Sequence, residues 1–188
     1  MRTIADHILD IASNSVTAGA TEIWLDVDHN PATHQFVFSV QDNGKGMDND
    51  MQERVFDPFF TTRPHNIRRF GLGLPFLREN AELSGGGVEL TSAPGKGTML
   101  TATFHTENID CLPVGDLPST FLTLLTSAPR VCWHIRRAEG NLSYTVCTEE
   151  LQAIFPSEEL SDPQAQLLLL DFLREQEREL HRNKSGGA

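Results

Sequence analysis

Apolar side chains recur along this chain with two different periods. Over residues 4–18, Ile4, Ile8, Ile11, Ala12, Ser15 and Val16 return at steps of three and four, which gathers them on one face of a helix. Thr3 and Asp6 ahead of it have capping-box spacing, with Asp in place of the longer Glu, and Gly19 follows as a helix stop. The period then drops to two. Ile23, Leu25 and Val27 alternate within 22–27, and Phe36, Phe38 and Val40 within 34–41. These read as half-buried strands, turned at Asn30-Pro31. A short helix is expected at 50–56. A longer one is expected over 72–83, with Pro75 in its first turn and Gly85 past its end. Strands at 88–91 and 98–104 flank the turn Pro94-Gly95-Lys96-Gly97. The order α-β-β-α-α-β-β predicts an α+β fold, a two-layer sandwich with helices on one face of a mostly antiparallel sheet.

The pattern changes near residue 105. A Pro-containing connector (108–118) leads into a helix over 115–127 with Leu117, Phe121, Leu124 and Leu125, then strands at 130–138 and 142–148, then a helix at 163–182. This is a small C-terminal α-β-β-α extension. With Glu139-Gly140 as a two-residue hairpin turn, residue 138 faces 141 and Cys132 faces Cys147, as two free thiols. The last helix carries Leu169, Phe172, Leu173 and Leu180 on one side, a stripe for docking on the body or for a second subunit. The division expected is 1–106, 107–182 as an accessory module, and a disordered tail at 183–188.

Composition narrows the function. The 188 residues carry 15 Lys+Arg against 26 Asp+Glu, a formal charge of −11. Nucleic-acid backbones and anionic membranes need clustered positive charge, so neither is expected as the main partner. No apolar run approaches the ~20 residues that span a bilayer, and the N-terminus lacks a signal-peptide core. A cytoplasmic location is expected. The three cysteines, Cys111, Cys132 and Cys147, form no Cys-x-x-Cys pair, which argues against a disulfide scaffold and a thiolate zinc site.

Four segments carry candidate chemistry. Asp10 and Asn14 stand four apart on the polar face of the first helix, oxygen donors suited to a hard cation; a solvated helix face would look the same. Asp42-Asn43-Gly44-Lys45-Gly46-Met47 ends a strand. Its glycines let backbone approach a flat ligand, and an Asp carboxylate there can accept an exocyclic amine; a tight turn would also use Asp-x-Gly. Val55-Phe56-Asp57-Pro58-Phe59-Phe60-Thr61-Thr62-Arg63 follows core-like phenylalanines with hydroxyls and a guanidinium able to reach phosphate oxygens. Gly71-Leu72-Gly73-Leu74 opens a helix, where free N–H groups and the helix dipole favour an anion. No Gly-x-x-x-x-Gly-Lys-Ser/Thr is present, which excludes a P-loop.

Taken in order, these segments resemble the ATP-binding domain of the GHKL superfamily, the Bergerat fold shared by gyrase, heat-shock chaperone ATPases, sensor histidine kinases and MutL-type mismatch-repair ATPases. The first box, Asp10-Ile-Ala-Ser-Asn14-Ser-Val-Thr-Ala-Gly-Ala20, is similar to the mismatch-repair version. The stretch from Phe56 to Phe104 is similar to a histidine-kinase catalytic domain, with Phe-x-Pro-Phe-Phe-Thr-Thr-Arg, Gly-Leu-Gly-Leu, Ser-Gly-Gly and Pro-Gly-Lys-Gly-Thr98. The resemblance covers about residues 4–105.

It implies ATP and Mg²⁺ as cofactors. Asn14 would hold Mg²⁺. Asp42 would bind the adenine amine in a pocket shaped by Gly44, Gly46, Met47 and Phe56, with Thr98 joining through water. Thr61, Thr62 and the backbone of Gly71, Leu72, Gly73 and Leu74 would meet the phosphates. Arg63 would face the terminal phosphate, under a lid at 64–70 bearing Arg68 and Arg69. Asp10 stands where hydrolytic members have Glu and histidine kinases usually have Asn, leaving a base or a metal-side role open. No segment resembles the helix carrying a phospho-acceptor His, and His7 lacks that motif's context. The implied function is transfer of the γ-phosphate to a separate partner protein, by a kinase acting in trans. The alternative is a slow ATPase that switches dimerisation or partner binding.

Overall fold

The computed structural model describes residues 1–57, 72–154 and 162–182. Its elements are α1 (Ile4–Thr17), β1 (Glu22–Asn30), β2 (Gln35–Asp42), α2 (Asn49–Arg54), α3 (Gly73–Leu83), β3 (Gly87–Ser92), β4 (Thr98–His105), α4 (Leu117–Ser127), β5 (Cys132–Glu139), β6 (Leu142–Cys147), α5 (Thr148–Ile154) and α6 (Pro163–Arg182). The architecture is the expected α+β layering. One six-stranded mixed sheet runs in the order β3-β4-β2-β1-β5-β6.

The capping box forms as the sequence predicts. The Thr3 hydroxyl accepts from the Asp6 N–H at 3.1 Å, and the Asp6 carboxylate accepts from the Thr3 and Arg2 N–H groups. Those bonds, the one from the Arg2 N–H foremost, hold the Asp6 carboxyl below its ordinary range. Two further donors of the first turn, Ile4 and Ala5, go to the carbonyls of Pro113 and Val114. The connector therefore completes the start of α1, which leaves few orphan N–H groups there. Gly115 makes this docking possible. Its φ is +88°, and a Cβ on it would lie 2.7 Å from the Thr3 side chain.

Alternation in the strands aligns across the sheet. Ile23, Leu25 and Val27 pair with Trp133, Ile135 and Arg137 on one side. Leu25 and Val27 pair with Val40 and Phe38 on the other, and Phe38 and Phe36 with Ala102 and Phe104. These side chains share one buried face with Ile4, Ile8 and Leu77 from the helices. The opposite face of β1 and β5 carries Glu22, Trp24, Asp26, Cys132, His134 and Arg136, all partly or fully exposed.

The C-terminal elements continue this sheet. β5 pairs with β1 in parallel over eight residues, from Glu22↔Cys132 to His29↔Glu139, so the sheet crosses the 106/107 boundary drawn from sequence. Trp133 is fully buried in the common core, as are Leu124 and Leu173. A buried ion-pair network fastens α6: Arg137 contacts Glu139 at 2.7 Å and Glu177 at 3.2 Å, and the Tyr144 hydroxyl donates to Glu177 at 2.8 Å. Burial, and secondarily Glu177, push the Tyr144 phenol well up. Leu169, Leu173 and Leu180 face the body, whereas Phe172 is 48% exposed and not part of that docked stripe.

Two expectations are corrected. The hairpin pairs Glu139 with Leu142 and His134 with Cys147, so the turn is Gly140-Asn141. Gly140 has φ +59° while Asn141 does not have positive φ, the pattern of a type II′ turn with Gly at its first central position. Cys147 therefore faces His134 and not Cys132. The 142–148 strand also ends at Cys147, because α5 begins at Thr148, whose hydroxyl accepts the Trp133 N–H at 2.9 Å. The tail at 183–188 lies outside the described residues.

Candidate functional site

The site starts from an interruption in an apolar pattern. On β2 the buried positions run Phe36, Phe38, Val40, and the next is Asp42, 6% exposed. A carboxylate buried at a core position needs partners, and it has two. The Ser15 hydroxyl donates to Oδ2 at 2.7 Å, and the Gly44 N–H donates to Oδ1 at 2.9 Å. Ser15 is the polar member of the apolar stripe of α1, so one helix supplies core packing and an anchor for Asp42. Across the sheet, Asp42 faces Thr98.

The loop after Asp42 is built around glycines that nothing larger could replace. Gly46 has φ +65°, and a Cβ there would lie 1.9 Å from the Ala93 carbonyl oxygen. Gly97, φ +81°, would put its Cβ 1.8 Å from the Asp42 carbonyl oxygen. The two turns close on each other: Gly95 N–H donates to Lys45 O at 2.7 Å. Ser92 is the hub between them. Its hydroxyl accepts the Met47 N–H at 2.8 Å, contacts the Thr98 hydroxyl at 2.9 Å and donates to Gly97 O at 2.8 Å. Gln52 of α2 then bridges Ser92 O and Met47 O. Asn43 points the other way and fixes the start of β1 through the N–H groups of Thr21 and Glu22.

The second cluster lies on the same helix. Asn14 Nδ2 donates to Asp10 Oδ2 at 3.4 Å, and both are half-buried. Asp10 lies against the first residue of α3, since a Cβ on Gly73 would fall 1.8 Å from Asp10 Oδ2. Leu72 precedes that helix and offers no capping side chain. Pro75 has no N–H to satisfy. The first turn of α3 thus presents backbone donors beside the Asp10–Asn14 pair. Leu74 packs on the core. Phe56 lies under the Arg78 guanidinium, 4.7 Å from ring to Cζ. Of the residues singled out in the sequence, Asp10, Asn14, Asp42, Gly44, Gly46, Met47, Phe56, Leu72, Gly73, Leu74 and Thr98 are described. Thr61, Thr62, Arg63, Arg68, Arg69 and Gly71 lie outside the described residues.

Ser15 and Ser92 were not singled out as site residues. Ser15 was legible as a hydroxyl in an otherwise apolar stripe; Ser92 carried no such signal. His7 is fully buried between α1 and α3. Its Nε2 lies 3.2 Å from Asn80 Nδ2, and burial pulls its pKa down to about 4. A neutral ring without access to solvent agrees with a packing role and not with a phospho-acceptor.

Comparison with known proteins gives a consistent picture. Residues 2–108 match the family model described as histidine kinase-, DNA gyrase B- and HSP90-like ATPase. The methanogenesis regulatory histidine kinase FilI of Methanothrix harundinacea is 37% identical over 82 residues, 44% of this chain and 9% of that protein. The sensor histidine kinase ZraS of Klebsiella oxytoca is 40% identical over 63 residues, 34% of this chain and 13% of that protein. The chain thus spans a small fraction of the curated relatives it matches. A crystal structure of the N-terminal domain of a DNA repair protein shares the fold, with TM-score 0.50 and 13% identity over 78% of this chain and 52% of that one. No helix among the described residues is long and apolar enough to cross a membrane.

Proposed function

The chain belongs to the histidine kinase-, DNA gyrase B- and HSP90-like ATPase family, and from that premise we propose that it binds ATP with Mg²⁺ and transfers the γ-phosphate to a separate protein. The observation that carries this reading is α1. It brings Ser15 to the buried Asp42 carboxylate and, one turn earlier, Asp10 to the N-terminus of α3, with Asn14 bonded to Asp10. One rigid element thus spans the distance between a base-recognition end and a phosphate end.

The donor set fits a Mg²⁺–nucleotide. Asp42 has its Ser15 and Gly44 bonds in place and keeps lone pairs for the adenine amine. The glycine turns at Gly44 and Gly46 admit a flat ring, with Met47 and Phe56 as walls and Thr98 completing the contact through water. The Asn14 carboxamide oxygen holds the cation, a hard-ligand role. Mg²⁺, when bound, neutralises phosphate charge. The N–H groups of Gly71 to Leu74 and the side chains of Thr61, Thr62, Arg63, Arg68 and Arg69 take the phosphate oxygens, an assignment that rests on the sequence motif. In the transfer, the bond from the γ-phosphorus to ADP breaks as one to the acceptor's nucleophile forms. The chain's part is positioning and charge stabilisation.

A second reading has one observation in its favour. Asp10 is a carboxylate where a kinase of this type usually has Asn, and it packs beside the start of α3. A base there suits water as the acceptor, making the chain a slow ATPase switch whose ATP state sets partner affinity or dimerisation. Labelled ATP separates the two. Transfer of label to a co-purifying protein supports the kinase; phosphate release without labelled protein supports the switch. Asp10→Asn then abolishes release if Asp10 is the base and leaves transfer unchanged if it is not. Asp42→Asn removes calorimetric ATP binding; binding that survives overturns the adenine assignment.

A further inference from the structure

On the open face of the sheet, away from the nucleotide residues, three potential ligands converge from two strands. Cys132 and His134 come from β5 and Cys147 from β6, with Glu22 of β1 beside the imidazole. Cys132 Sγ lies 3.4 Å from His134 Nε2, and Cys147 Sγ lies 3.7 Å from His134 Nδ1. Glu22 Oε1 is 3.0 Å from His134 Nε2. One ligand atom each from Cys132, His134 and Cys147 falls within 4.8 Å of the others. In a tetrahedral site with metal–sulfur bonds of about 2.3 Å and metal–nitrogen bonds of about 2.0 Å, the sulfur–nitrogen edge is ~3.5 Å and the sulfur–sulfur edge ~3.8 Å. Only one ring nitrogen of His134 can bind a given ion, so one of the two sulfur–nitrogen separations corresponds to such an edge, and the other sulfur lies within 4.8 Å.

We propose that Cys132, His134 and Cys147 form a binding site for a divalent cation of the zinc class, with Glu22 as hydrogen-bond partner of the His134 imidazole. Two thiolates and an imidazole select a borderline-soft metal over Mg²⁺ or Ca²⁺. The imidazole is already oriented, because Trp24 stacks on it with ring centroids 5.4 Å apart and planes 10° from parallel. Binding replaces the thiol protons by the metal, and two protons leave to solvent. The site depends on the hairpin register. With Gly140-Asn141 as the turn, Cys147 stands opposite His134, and Cys132 lies diagonally across on the same face. The bound ion would staple β5 to β6.

The proposal is independent of the nucleotide reading. Its test uses the full chain, purified with a non-thiol reductant and stripped of metal, titrated with Co²⁺ and then displaced by Zn²⁺. The expected result is one ion per chain, a thiolate-to-cobalt charge-transfer band, tetrahedral d–d bands, and a melting temperature raised by Zn²⁺ and lowered again by chelator. Cys132→Ser, Cys147→Ser and His134→Gln each weaken binding by at least about 100-fold, Glu22→Gln by less, and Cys111→Ser not at all. Circular dichroism identifies any variant that has lost its fold, and the remaining variants decide. Three results overturn the proposal: an octahedral spectrum without the charge-transfer band, undiminished binding in the Cys132→Ser/Cys147→Ser double variant, or a Cys132–Cys147 disulfide that persists under the reductant.

Discussion

The two parts of the sheet solve the problem of a polar interior in opposite ways. In the part formed by residues 4–105, the polar groups are arranged by backbone. Gly44, Gly46 and Gly97 pack main chain so tightly that a methyl group on Gly46 or Gly97 would collide with a carbonyl oxygen, and Asp42 takes one of its two bonds from a main-chain N–H. In the part formed by residues 117–182, side chains do the work. Arg137 pairs with Glu139 and Glu177, and Tyr144 donates to Glu177, while Trp133 is fully buried farther along the same face of β5. The difference explains why one part is readable as a motif. At Gly46 and Gly97 the backbone leaves no room for a Cβ, so the turn is written in the sequence as glycines; a side-chain network can be assembled from residues at unrelated spacings.

The largest expected effect tests whether the parts are separable at all. Trp133→Ala removes a fully buried indole from the shared core and should cost about 3–5 kcal/mol. Because β5 is paired to β1, the whole chain should melt in a single transition at lower temperature. A nucleotide-binding part that still melts at the original temperature in this variant would break the comparison and make the two parts separate domains. Next comes Gly46→Ala. Its positive φ and the clash with Ala93 should cost about 1–3 kcal/mol, with weaker ATP binding measured by calorimetry. An equal loss of stability with unchanged affinity would mean that the glycine turn supports the fold and not the pocket.

The smallest effect concerns pH. The folded-state pKa of His7 is depressed from 6.5 to about 4. Its neutral form therefore contributes stability that is fully present above pH 6.5 and is lost as pH falls from there to about 4. Melting temperature should decline across that window, and His7→Gln should flatten the decline, as read by thermal denaturation at a series of pH values. An unchanged slope would assign the acid sensitivity to other groups.

Much of this molecule could be read from residue order. The helix of α1, its capping box and the strands through His105 follow from period and punctuation, and Asp42 stood out as the carboxylate opening a glycine-rich stretch at a strand end. What escaped the reading depended on distant partners. Glu139-Gly140 and Gly140-Asn141 are both plausible turns. The choice fell to the second because Glu139 is drawn into the strand, where it pairs with buried Arg137 and His29. That one-residue shift moved Cys147 from Cys132 to His134 and hid a convergence of ligands. α5 was missed because seven residues starting at a strand end carry too little period to register. The parallel pairing of β1 with β5 has no local signal, since it joins residues 110 positions apart.

That pairing also bears on how the chain is made. β1 emerges early from the ribosome and can pair at once with β2, yet its other edge has no partner until Cys132 and its neighbours follow. At synthesis rates of roughly 5–20 residues per second, the wait is on the order of 6–20 seconds. During that interval a strand destined for the middle of a sheet is an open edge, the kind of surface that recruits wrong partners. The open face of that strand carries Glu22, Asp26 and Asp28, and like charges set opposite one another would discourage two nascent chains from zipping together before β5 arrives.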